Sequence, residues 1–174
     1  MIDKAKKTVL FIGRFQPFHQ GHLFALKAIL QHEENVIIGI GSAENYDEPA
    51  NPFTAGERFA MIREALLAEG FDRARFEIIP VRNINDFDKW TAHVERYMPP
   101  FYKVYTGSEI VRELYEKDGR YEVAGVEFLD GVTATSVRAK IASGEESWRE
   151  DVHPEVARII DEIDGVKRIQ KYSN

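Results

Sequence analysis

Two unbroken apolar runs, Thr8–Gly13 (TVLFIG) and Asn35–Gly41 (NVIIGIG), constrain the fold of this chain more than any other feature. A strand with one face in water alternates apolar and polar residues. A continuous, β-branched run is instead the pattern of a parallel strand covered on both faces. Between the two, Gly21–His32 places Leu23, Ala25, Leu26, Ile29 and Leu30 at helical spacing. The alternation then repeats. Ser42–Pro52 is polar, carries two prolines and reads as a loop, and Thr54-Ala-Gly-Glu57 is a capping box that opens a helix to about Glu69, with Gly70 as its stop. Arg75–Val81 predicts a third strand, Asp88–Met98 a helix ended by Pro99-Pro100, and Tyr102–Thr106 a fourth strand. Glu109–Lys117 predicts a short helix, Tyr121–Phe128 a fifth strand, Thr135–Ala142 a helix closed by Gly144, and Pro154–Ile163 a helix with proline in its first turn. The expected fold is α/β: a Rossmann-like, doubly wound parallel sheet flanked by helices, with ligands beyond the strand C-termini at the topological switch point. At 174 residues one domain spanning 1–174 is expected, its part from about 145 to 174 helical.

Composition excludes several chemistries. There is no cysteine, which removes disulfides, thiolate zinc sites, iron–sulfur clusters and cysteine nucleophiles. With 23 basic and 29 acidic residues the net charge is −6, so neither nucleic acid nor an acidic membrane is an expected partner. The opening MIDKAKK is charged and the apolar run Val9–Ile12 is short, whereas a membrane helix needs ~20 residues, so a cytoplasmic protein is expected. Residues 145–164 carry eight acidic against two basic residues and read as a solvated helical face, with Trp148 as packing.

The stretch richest in chemistry is Gly13-Arg14-Phe15-Gln16-Pro17-Phe18-His19-Gln20-Gly21-His22, where the first strand turns into the first helix. Gly13 lacks a Cβ, so a ligand can approach the backbone, and Pro17 stiffens the turn. Free amides at the helix N-terminus and its dipole favour an anion. His19 and His22, three apart, share one face, with Gly21 leaving room between them. Arg14 adds a guanidinium fork matched to phosphate oxygens. An alternative use of the histidine pair, as two metal ligands, needs a third ligand, and His32, His93 and His153 have no diagnostic spacing. A second cluster, Thr133-Ala134-Thr135-Ser136-Val137-Arg138, puts three hydroxyls at a helix start and an arginine one turn in. By itself it describes a well-capped helix. Beside the first motif it completes a clamp, since an acidic protein must gather cations locally to hold polyphosphate. Arg14, Arg138 and Arg58 are the candidates.

The HxGH motif after a strand, with a hydroxyl-rich helix start ending in arginine, resembles the nucleotidyltransferase superfamily. GRFQPFHQGH (13–22), GIGSA (39–43), NPFTAGER (51–58) and Trp90 followed by Pro99-Pro100-Phe101 narrow the resemblance to the archaeal-type nicotinamide-mononucleotide adenylyltransferases, from about Thr8 to about Ile169. That resemblance implies transfer of AMP from ATP to the 5′-phosphate of nicotinamide mononucleotide, giving NAD and pyrophosphate. It also implies catalytic roles for His19, His22, Arg14 and Arg138. ATP contacts would come from Gly13, Phe15, Gly39, Gly41, Ser42, Thr133, Thr135 and Ser136, while Trp90 would stack on the nicotinamide ring with Asn83 and Ile84 near the carboxamide. Mg²⁺ would be held mainly by phosphates and not by protein side chains. A homo-oligomer, often a hexamer, is the implied assembly. The chain departs from the family pattern with Ala134 in place of a glycine, Thr106-Gly107-Ser108-Glu109 in place of Ser-Gly-Asn-Pro, and Ala50 where some members carry a basic residue. Enzymes of the same superfamily acting on pantetheine phosphate or FMN, and a non-catalytic nucleotide sensor, are the competing readings.

Overall fold

The computed structural model describes residues 7–127 and 129–173. The expected ends of the domain, and Phe128 at the end of the expected fifth strand, lie outside the described residues. Among the described residues five strands, β1 (Thr8–Gly13), β2 (Asn35–Ile40), β3 (Phe76–Pro80), β4 (Lys103–Thr106) and β5 (Glu122–Gly125), form one parallel sheet in the order β3-β2-β1-β4-β5. Phe11 lies opposite Ile38 on one side and Tyr105 on the other, so β1 is central. Sheet order runs outward from β1 in both directions and places the switch point between β1 and β4.

Among the described residues seven α-helices connect and cover it: α1 (Gln20–His32), α2 (Ala55–Ala68), α3 (Trp90–Glu95), α4 (Glu109–Asp118), α5 (Ala134–Ser143), α6 (Pro154–Glu162) and α7 (Gly165–Gln170). Alternate residues of β1 feed two separate cores. Val9 and Phe11 pack with residues of α1, α2, α5, α6 and α7. Leu10 and Ile12 pack with Trp90 and Val94 of α3 and Tyr115 of α4. This is why the run has no polar alternation: each face of the sheet is roofed by helices. The doubly wound α/β fold is as expected.

Element ends differ for local reasons. The expected Asp88–Met98 helix is split into a 3₁₀ turn, Phe87–Lys89, and a shorter α3. Amides of Tyr97 and Met98 reach only three residues back, to Val94 and Glu95, because the residue before Pro99 is disfavoured in the α region. Strand β5 is only four residues, and its residues are at most half-buried. Trp148 is 1 % exposed and packs in the core as expected. Arg149 pairs with Asp161, and Arg158 with Glu155 and Glu162, on the acidic face. Asp151 departs from that face, buried and paired with Lys140 of α5 at 2.6 Å. At the C-terminal end, Arg168 of α7 donates to the Pro52 carbonyl and both carboxylate oxygens of Glu57, and Lys171 and Tyr172 both reach Asp47. The long loop after β2 is thereby fastened from its outer side.

Candidate active site

A cleft of about 600 Å³ opens at the C-terminal edge of the sheet, over the switch point. Its wall includes Gly13, Arg14, Phe15, His19 and His22 from the first motif, Ala134, Thr135 and Arg138 from α5, Gly41 and Ser42 after β2, and Asn83 and Trp90 beyond β3. Two helix starts more than a hundred residues apart thus face one space.

The HxGH segment is built by local geometry. His19 is the N-cap of α1: its Nδ1 accepts from the Gly21 amide at 3.1 Å, and His22 Nδ1 accepts from the His19 amide at 3.2 Å. The two rings stack with centroids 3.6 Å apart. A Cβ on Gly21 would sit 3.0 Å from the His19 ring, so the missing side chain makes room for that ring. Likewise a Cβ on Gly13 would sit 3.1 Å from the Phe15 ring, which is buried and held at φ 54. Burial pushes His19 down to about 4, against the pull of Asp151, and burial together with His19 holds His22 well below the usual imidazole range. Both are neutral at pH 7. Because each Nδ1 accepts a backbone N–H, the proton resides on Nε2, and each ring offers one N–H donor.

The free amides expected at the start of α1 are a correction. Gln20 N–H donates to the Asp151 carbonyl at 2.8 Å, Gly21 to His19 Nδ1, and His22 and Leu23 to the His19 carbonyl. Asp151 lies far along the chain, so local pattern could not reveal it. Amides without a preceding turn are found instead at α5, where Thr133 and Ser136 cap each other reciprocally and Ala134 and Thr135 begin the helix on the cleft wall. Arg138 donates from Nη1 to the Gln16 carbonyl at 2.7 Å and from Nη2 to Thr135 Oγ1 at 3.4 Å. Its guanidinium is destabilised by burial first and by nearby Arg14 second. Two like charges facing one cleft are relieved by an anion between them.

Not every expected residue reaches the cleft wall. Gly39 lies in β2, where a Cβ would meet Met98 and Ile12 side chains. Ile84 packs on the second core, and Thr133 and Ser136 are engaged in the cap. Arg58, counted among the candidate cations, is fully buried behind the wall and bonded to carbonyl oxygens, so it is not a phosphate ligand. Trp90 is on the wall but only 8 % exposed, edge-on to Tyr115 at 6.0 Å, so the exposed ring face expected for stacking on the nicotinamide is not presented. Its Nε1 donates to Asn83 Oδ1 at 3.0 Å, which leaves the Asn83 amide nitrogen as a donor. An exposed aromatic on the wall is Phe87, 65 % exposed, and exposed Ile110 of α4 lines the same cleft. Sequence reasoning missed Phe87, Arg82, Ser108 and Ile110, which sit on connections whose direction depends on the sheet order. Among the described residues no three histidine or carboxylate groups converge as a metal site, so the histidine pair has no third ligand there.

Residues 10–144 match the family described as cytidylyltransferase-like. The chain belongs to that family. Within this cytidylyltransferase-like family it is similar to proteins named nicotinamide-nucleotide adenylyltransferase. The one from Picrophilus torridus is 46 % identical, over 93 % of this chain and 95 % of its own length. That from Thermoplasma acidophilum is 40 % identical, over 99 % of this chain and 96 % of its own. Among solved structures, a bifunctional NMN adenylyltransferase/ADP ribose pyrophosphatase from Francisella tularensis, complexed with AMP and a manganese ion, matches with a TM-score of 0.79 at 25 % identity over 97 % of this chain. This chain spans about half of that protein, 52 % of its length.

Proposed function

We propose that this chain, as one nucleotidyltransferase domain, is a nicotinamide-nucleotide adenylyltransferase: it transfers AMP from ATP to the 5′-phosphate of nicotinamide mononucleotide, forming NAD and releasing pyrophosphate. The observation that carries the reading is the shared cleft of His19, His22 and Arg138 at the switch point, and the names of its relatives at 46 % and 40 % identity support it.

The nucleophile is a phosphate oxygen, already ionised at neutral pH, so the reaction needs no general base. A bond forms between that oxygen and the α-phosphorus of ATP, and the bond from the α-phosphorus to the bridging oxygen breaks with pyrophosphate leaving. Catalysis then rests on alignment, worth ~7–11 kcal/mol, and on donors aimed at developing charge. Neutral His19 and His22 suit that task through their Nε2–H groups, as hydrogen-bond donors to the α-phosphoryl oxygens and not as proton shuttles. Arg14, Arg138 and the α5 amides of Ala134 and Thr135 hold the outer phosphates. Gly41 and Ser42 border the adenosine, and Trp90 acts through Asn83 on the pyridine carboxamide. The donor set consists of N–H groups and cations without a carboxylate cluster, which fits a phosphate-held divalent cation, read as Mg²⁺. When bound, that cation offsets charge on the triphosphate. A homo-oligomeric assembly, a hexamer by resemblance, and a cytoplasmic location belong to the same reading, while no helix among the described residues is long and apolar enough to cross a membrane.

The test is pyrophosphate release from ATP with, in turn, nicotinamide mononucleotide, nicotinate mononucleotide, FMN and pantetheine phosphate. Turnover with the pyridine nucleotides is the expected result. Turnover only with FMN or pantetheine phosphate, or none with any acceptor, contradicts the assignment.

A further inference from the structure

Arg58, in the first turn of α2, points away from solvent toward the back of the cleft and is 0 % exposed. Its Nη1 donates to the carbonyls of Arg14 at 2.8 Å and Gly41 at 2.9 Å, its Nη2 to that of Ser42 at 3.1 Å, and its Nε to that of Thr54 at 3.2 Å. Arg14, Gly41 and Ser42 all line the cleft, and they leave the sheet on two neighbouring strands. Two of the local conformations are ones a side chain resists: Ser42 has φ 47, and Phe15, beside Arg14, has φ 54. Non-glycine residues stay in that region only where the surroundings over-determine them. Burial pushes the Arg58 guanidinium down to about 10, partly offset by Glu44, so it remains cationic at neutral pH.

We infer that Arg58 is a positioning residue for the transfer reaction, holding the backbones of Arg14 and of Gly41–Ser42 at the separation that fits the triphosphate and adenosine. The inference rests on the reading of the cleft as the site of AMP transfer. Planarity matters here: one guanidinium spans four carbonyls on two loops and a helix cap, whereas a lysine ammonium offers three donors from a single point. The neighbouring Glu57 faces outward to Arg168, so the consecutive pair divides the work, one residue fastening α7 and the other the loops of the cleft. Arg168 is not on the cleft wall and serves as the comparison for a purely structural brace.

Arg58→Lys, Arg58→Gln and Arg168→Ala, each checked for wild-type far-UV circular dichroism at the assay temperature, are compared by steady-state pyrophosphate release. The expected result is a fall in kcat of about ten-fold or more for Arg58→Lys, with KM for nicotinamide mononucleotide within about two-fold, since small displacements at a reacting centre act on turnover. Arg168→Ala lowers the melting temperature and keeps kcat within about two-fold. Adding Ser42→Gly to Arg58→Lys recovers part of the lost kcat, because glycine adopts positive φ without being held. Wild-type kcat in both Arg58 variants, failure of both to fold, or no recovery from the second substitution overturns the inference. A wild-type protein without pyrophosphate release refutes the functional reading instead.

Discussion

Arg138 Nη1 donates to the carbonyl oxygen of Gln16 at 2.7 Å, bridging residues 122 positions apart. The same Gln16 uses its side chain to hold both the amide and the carbonyl of Phe53, at 2.9 and 2.8 Å. One residue of the turn before the HxGH motif therefore meets α5 through its backbone and the loop before α2 through its side-chain amide. Arg138 on the cleft wall is thereby tied to the turn that leads into the histidines.

Loss of Arg138 removes both a cation on the cleft and this tie. Arg138→Ala should lower turnover about 10²-fold or more, the scale of losing one donor to developing charge. Arg138→Lys, which keeps the charge but not the fork, should fall between alanine and wild type. Steady-state pyrophosphate release measures both, and a lysine variant equal to wild type would show that charge alone suffices.

His19 caps α1 through Nδ1, and under the proposed reaction it also donates through Nε2. Asparagine is a good N-cap residue, so His19→Asn should retain the helix start, whereas His19→Ala should cost about 1 kcal/mol of stability. Both should reduce turnover about 100-fold or more. Urea titration read beside kinetics separates the duties; near-native turnover in either variant removes His19 from the chemistry.

Acid should weaken the fold through the same residue. Burial holds the native His19 at about 4 against the ordinary 6.5, so between these values the unfolded chain takes up a proton that the folded chain refuses. Stability is therefore complete above about pH 6.5 and declines as pH falls toward 4, by about 3 kcal/mol from this group. His22, also held down, acts in the same direction. Urea midpoints from pH 7 to 4 should show the decline, and His19→Asn should flatten it; an equal slope in the variant assigns the effect elsewhere.

Trp90 should act on acceptor binding through Asn83. Trp90→Phe keeps most of the packed volume and loses the indole N–H bond, so KM for nicotinamide mononucleotide should rise about five-fold, the scale of ~1 kcal/mol, with kcat little changed. Trp90→Ala empties a core site and should cost ~3–5 kcal/mol of stability. An unchanged KM in the phenylalanine variant would make Trp90 a core residue only.

Much of this was legible along the chain because local pattern and fold agree. The runs around Leu10 and Ile37 read as doubly covered strands and are, and both motifs of the cleft sit at helix starts. What stayed hidden depends on distant partners. Asp151 takes the Gln20 amide from across the sequence, so a helix start that looks open is closed. Arg58 reads as one more cation until its carbonyl partners on three separate segments turn it inward. Phe87 is polar-flanked in sequence, and only the 3₁₀ turn before α3 brings it to the cleft mouth.

ATP carrying a labelled α-phosphorus, turned over with nicotinamide mononucleotide, tests the transfer directly by showing which bond breaks. The label should appear in NAD, one equivalent for each pyrophosphate released. Label recovered as AMP or ADP, with no dinucleotide formed, would contradict it.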